Sequence, residues 1–119
     1  MKPTLMILTL FAVAMPARAA SYVEQATFSV TASVIAGLDR DSVGNLYALM
    51  LAPGATTYSV TGYRTPGLEP LFSFDTGAQA PLAFAVEPSG VVDVLEGGSG
   101  ITLKRFLNTG YFLGQASYS

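Results

Sequence analysis

An all-β fold, two four-stranded antiparallel sheets with one further strand ahead of them, is predicted by three observations. Past Ala20 the chain is a series of short apolar or β-branched runs separated by glycine and proline. Turn signals at Gly37, Gly44, Pro53-Gly54, Gly62, Pro66-Gly67, Gly77, Pro88 to Gly90, Gly97 to Gly100 and Gly110 recur about every ten residues, which is the rhythm of sheets. The plan of residues 35–75 then returns in residues 82–118. LYALMLA (46–52) is the one candidate helix, but it is short and stops at Pro53.

The first element is set apart from the fold. MKPTLMILTLFAVAMPARAA carries a lysine near its start, an apolar run from Leu5 to about Met15, and Ala17-Arg18-Ala19 before Ala20. A charged start, a short apolar middle and an A-x-A exit are the layout of a secretory signal peptide, expected over residues 1–19 with cleavage after Ala19. A run of roughly 11 residues is too short for a membrane core that takes about 20. No cysteine follows, so a lipidated cysteine anchor is excluded. The expected location is therefore secreted or periplasmic.

The remaining region, 20–119, keeps four basic residues (Arg40, Arg64, Lys104, Arg105) against eight acidic ones, a net charge of −4. Such a chain has no electrostatic footprint for nucleic acid and little attraction to anionic lipid. There is no cysteine to staple it, yet half of its residues are hydrophobic and 12% are charged, so packing is the expected source of stability.

Within that region residues 24–30 are predicted to be a strand left over at the N-terminus. One sheet is expected from strands 35–39, 45–50, 57–63 and 68–75, and a second from 82–86, 91–95, 101–106 and 111–118. Pro70 fits an edge strand, where no ladder bond is lost. YSVTGYRTPG (58–67) matches ITLKRFLNTG (101–110), NLYAL (45–49) matches VVDVL (91–95), and LFSFD (71–75) matches QASYS (115–119). The match of NLYAL with VVDVL extends backwards if Ile35-Ala36 is laid on Leu82-Ala83 with one extra residue before Gly44. Leu82, Phe84 and Val86 are expected on one face and Ala83 and Ala85 on the other. Phe84, Phe106 and Phe112 should fill the space between sheets. A period in the forties with four strands per unit is the mark of a β-propeller blade.

Gly44-Asn45-Leu46-Tyr47 and Ile101 to Phe106, set within these units, resemble NHL-type β-propeller repeats over residues 27–119. The Asp that such repeats often carry after the second strand is replaced here by Leu49-Met50 and by Leu95-Glu96. The resemblance implies two blades, 35–75 and 82–118, plus a spare outer strand at 24–30. Closed propellers have roughly four to eight blades. The chain is then either part of a longer propeller or one of several copies, and three copies would close a six-bladed ring, a homotrimer.

The chemistry is bounded by what is missing. Without histidine or cysteine there is no Ser-His-Asp triad, no Cys-His pair and no histidine metal ligand. Asp39-x-Asp41 before Gly44-Asn45 could offer oxygens to Ca²⁺, but it lacks the third acid and distant glutamate of a calcium loop. Asp and Asn also cap hairpin turns, and that is the expected role. Glu87, Asp93 and Glu96 could supply a carboxylate pair for sugar hydrolysis, although Glu87 opens a turn and Asp93 alternates like a solvent-facing residue. Lys104-Arg105 should split between two faces. Tyr58, Tyr63, Tyr111 and Tyr118, with Thr56 and Thr57, are expected mainly to pack. The loop LAPGATTY (51–58) is the first place to seek a ligand.

The expected function is that of an exported, non-catalytic scaffold for protein or carbohydrate contact, with no cofactor, no metal and no assigned catalytic residue. The alternatives are a propeller enzyme working through carboxylates alone, and a two-sheet β-sandwich with a structural or adhesive role.

Overall fold

Three turns of one design set the strand lengths. Asp41 N–H donates to the Asn45 carbonyl, Glu87 N–H to Val91 and Leu107 N–H to Tyr111. In each, the glycine three residues on donates back, Gly44 to Asp41, Gly90 to Glu87 and Gly110 to Leu107. Those glycines have φ of 91°, 93° and 91°, a left-handed backbone that a side chain would strain. The computed structural model describes residues 5–14 and 21–118, with side chains from Val30 onward.

The strands are β1 Leu5–Ala14, β2 Ser21–Thr31, β3 Val34–Arg40, β4 Leu46–Leu51, β5 Tyr58–Arg64, β6 Glu69–Ala78, β7 Pro81–Val86, β8 Val92–Gly97, β9 Ile101–Phe106 and β10 Phe112–Tyr118. They form two antiparallel four-stranded sheets, β3-β4-β5-β6 and β7-β8-β9-β10, in which sequence neighbours pair throughout. The predicted strands coincide with these within a few residues. Pro70 lies on the edge strand β6, opposite Tyr63. Strand β2, predicted as 24–30, pairs with β1 and with neither larger sheet. The proposed cleavage point after Ala19 lies outside the described residues.

The register corrects the alignment of the two halves. Ile35 pairs with Met50 and Pro81 with Glu96, and a bulge follows each, at Ala36 and at Leu82. Ile35 therefore corresponds to Pro81, and no extra residue is needed. The bulge also takes Leu82 out of the expected alternation, leaving it 62% exposed while Phe84 and Val86 face the core. Phe112 sits at the rim, its ring 5.4 Å from Phe106.

Side chains alternate on β4, so its two faces have different partners. Tyr47 and Leu49, with Val60 of β5 and Ala78, pack against Val86, Val92, Val94 and Phe106 of the second sheet. Leu46 and Ala48, with Tyr63 and Leu68, form a second cluster on the opposite face, against which Val30 packs. Leu46 and Val92 each open a strand just after the equivalent turn, so Val92 and Val94 correspond to Leu46 and Ala48. Both sheets thus point the same way, stacked head to tail as successive blades would be.

Polar links join the inner strands. Val86 N–H donates to Asp39 Oδ2 at 2.6 Å, and the Ser42 hydroxyl donates to the Pro88 carbonyl at 2.8 Å. Aromatic rings run through the interface in sequence, Tyr47, Phe72, Phe74 and Phe106, with neighbouring centroids 5.2, 6.2 and 5.3 Å apart. Gly62 makes room for this stack, since a Cβ there would lie 2.2 Å from Phe72 Cζ. Gly62→Val is expected to lower stability by about 1–3 kcal/mol through overpacking, read as a fall in the urea midpoint.

Candidate functional site

At the end of the molecule that carries the glycine turns, Asp41 organises a network. Its Oδ1 accepts from the N–H groups of Val43 and Asn45, at 3.1 and 2.9 Å. Its Oδ2 accepts from the Asn45 amide at 3.1 Å and the Tyr47 hydroxyl at 3.0 Å. Asn108, from the β9–β10 turn, donates to the same hydroxyl at 3.3 Å. Partial burial pushes the Asp41 carboxyl up, but these four donors outweigh it and hold it below its ordinary value. Burial also pushes the Tyr47 phenol up. With Asp39 committed to the second sheet and Asp41 to its own turn, both serve structure. Among the described residues no group of three or more acidic side chains is placed to hold a metal.

The fold brings two of the three candidate carboxylates together and sets the third apart. Glu87 and Asp93 come together on Arg105, which donates Nη2 to Glu87 and Nε to Asp93, the latter at 2.9 Å. Glu96 lies near the other end of β8, paired with Lys104 at 2.9 Å and accepting from Gln79 N–H at 2.7 Å. Lys104 and Arg105 face opposite sides, as adjacent strand residues do. The Arg105 hydrogen bond holds Glu87 low, whereas burial, opposed by Arg105 and aided by Glu87, pushes Asp93 up.

The tyrosines divide. Tyr63 is buried and Tyr58 packs at the core margin, while Tyr111 and Tyr118 are exposed. The 51–58 loop is tied down by two bonds: Ala55 N–H donates to the Ala52 carbonyl and the Thr57 hydroxyl to Asp75 of β6, at 3.0 and 2.8 Å. A concavity of about 440 Å³ lies instead at the equivalent turn of the second sheet, residues 97–100. Glu96, Ser99, Thr102, Ser117 and Tyr118 line it. The glycine run 97–100 reads in the sequence only as a turn, and nothing there signals that β10 brings Tyr118 alongside. A second, shallow hollow of about 180 Å³ is lined by Ala83, Phe84, Ala85, Asp93, Leu95 and Leu103.

No family model, curated protein or solved structure matches this chain. The two hollows and the Arg105 cluster must therefore be read on their own chemistry.

Proposed function

We propose that this is an exported, non-catalytic repeat protein of β-propeller, NHL-like type that serves as a binding scaffold for a carbohydrate or protein partner. The concavity beside Tyr118 carries the reading. A sugar ring offers an apolar C–H face and a rim of hydroxyls. Tyr118, 67% exposed, supplies a flat apolar surface, and Glu96, Ser99, Thr102 and Ser117 supply hydrogen-bonding groups around it. A carbohydrate is the better match of the two partner classes. The propeller reading is supported by the head-to-tail stacking of two like meanders, and export by the layout of residues 1–19.

Screening against an oligosaccharide array tests it. Binding is expected, and Tyr118→Ala should weaken it by roughly tenfold or more, as loss of an aromatic anchor does. Binding unaffected by Tyr118→Ala, or none to any glycan, would count against the carbohydrate site.

One observation favours a second reading, a carboxylate-dependent enzyme. Glu87 and Asp93 are pushed in opposite directions around Arg105, the arrangement that separates an acid from a base. Glycosidase activity abolished by Asp93→Asn in a folded protein would establish it over the scaffold.

A further inference from the structure

The two sheets bury unequal faces. The first sheet covers one side with the second sheet and has Val30 packed on the other. Among the described residues nothing covers the corresponding outer side of the second sheet, which carries Ala83, Ala85, Leu95, Leu103 and the Arg105 cluster. Position by position this is the face that the first sheet uses to hold the second. Asp93 and Leu95 correspond to Tyr47 and Leu49, Leu103 to Val60, Ala83 to Gly37, and Ala85 to Asp39, as the shared register requires.

We propose that this open face docks on the inner strand β3 of a second copy of the chain, head to tail, with Leu38 seated in the hollow at Ala83 and Ala85 and Arg40 beside Glu87 and Asp93. The inference rests on the propeller-type reading above and extends the internal contact to a neighbouring molecule. Within one chain Phe84 projects onto Gly37, where an added Cβ would lie 3.0 Å from Phe84 Cβ. The residue corresponding to Phe84 is Leu38, 49% exposed, and the one corresponding to Gly37 is Ala83, on the 180 Å³ hollow. A projecting side chain and a hollow of small residues are thus displayed on opposite ends of the stack.

Charge agrees with shape. Two carboxylates, Glu87 and Asp93, share the single guanidinium of Arg105, leaving one negative charge in excess. Arg40 is exposed and pairs with no carboxylate among the described residues. It holds the position of Val86, whose N–H meets Asp39 across the internal interface. Carried to the next copy, that place is next to Ala85 and its strand partner Asp93. Val30 already packs on the cluster of Leu46, Ala48, Tyr63 and Leu68, so the contact is confined to the inner strands β3 and β7. A heterologous contact of this kind either closes a ring or extends a filament.

The chain has no cysteine, which allows a direct test in the intact chain. Leu38→Cys and Ala83→Cys variants are mixed and mildly oxidised, at positions whose internal counterparts approach within disulfide reach. The mixed disulfide is expected to exceed either self-linked dimer by at least fivefold. It should likewise exceed the product of Ala83→Cys with Val43→Cys, a control at a position 79% exposed. Adding Arg40→Glu to the Leu38→Cys partner should cut the yield at least threefold. Self-linking of Ala83→Cys as the main product, or yields no higher than the control, overturns the proposal. Glycan binding measured on the same samples separates the two ideas. A monomer that still binds sugar removes this contact and leaves the scaffold function standing.

Discussion

Tyr47→Ala lowers the free energy of unfolding by about 3–5 kcal/mol, the cost of emptying an aromatic site in a close-packed core. Tyr47 is fully buried at the contact between the sheets. Its ring meets Phe72 edge-on, so the truncation removes the end of the aromatic series as well as its own buried area. The effect should be large because the cavity opens between two rigid sheets that cannot collapse independently. Tyr47→Phe separates the ring from the hydroxyl. It keeps the packing and loses the bonds to Asp41 and Asn108, at about 0.5–2 kcal/mol. Urea unfolding followed by circular dichroism measures both. A Tyr47→Ala loss below about 1 kcal/mol would show that the two sheets do not depend on each other.

Asp41→Ala costs about 2–4 kcal/mol, because four donors lose a charged acceptor together and the buried Tyr47 hydroxyl loses one of its two partners. Asp41→Asn retains an acceptor oxygen and should recover part of the loss. The contribution also has a pH signature. The folded chain holds this carboxyl below its ordinary value of 3.8, so the unfolded chain takes up the proton first on acidification. The stabilisation is complete at neutral pH and fades as pH falls from 3.8 through the lower folded-state value. Asp93, pushed up in the folded chain, works in the opposite sense and gains stability as it protonates. The difference in stability between wild type and Asp41→Ala should therefore shrink as pH falls below 3.8. A difference that does not change as pH falls below 3.8 rules out the ionised carboxylate as its source.

Much of the fold was legible because turn chemistry is local. The glycines at 44, 90 and 110 occupy the positions where the backbone turns left-handed, and Gly-bounded runs of alternating residues leave little choice but strands. The bulges at Ala36 and Leu82 were not legible. Each inserts an unpaired residue that leaves the apolar pattern nearly unchanged, so the sequence match slipped by one at Ile35. A similar slip affected the last strand. LFSFD matched QASYS by residue type, but the ladder places Ser73 opposite Thr61 and Gln115 opposite Lys104, so Ser73 corresponds to Gln115 and not to Ser117. The pairing of Glu87 with Asp93 through Arg105 joins three strands' ends, and no spacing rule encodes it. Asn108 carries no signal of its role in the sequence, because its partner, Tyr47, lies 61 residues away along the chain. The 51–58 loop is the natural place to expect a ligand, yet the concavity forms where β10 ends beside the short turn at 97–100.

The strand order has a consequence for how the molecule reaches its native state. Every strand in each larger sheet pairs with the one just before or after it in sequence, so each meander can assemble through successive short-loop closures, the local route associated with fast formation. Docking of one meander on the other through Tyr47, Val60, Val92 and Phe106 is then expected to come last. Substitutions at those positions should therefore act mainly on the rate at which the pair comes apart, and those in the turns on the rate at which each half first takes shape.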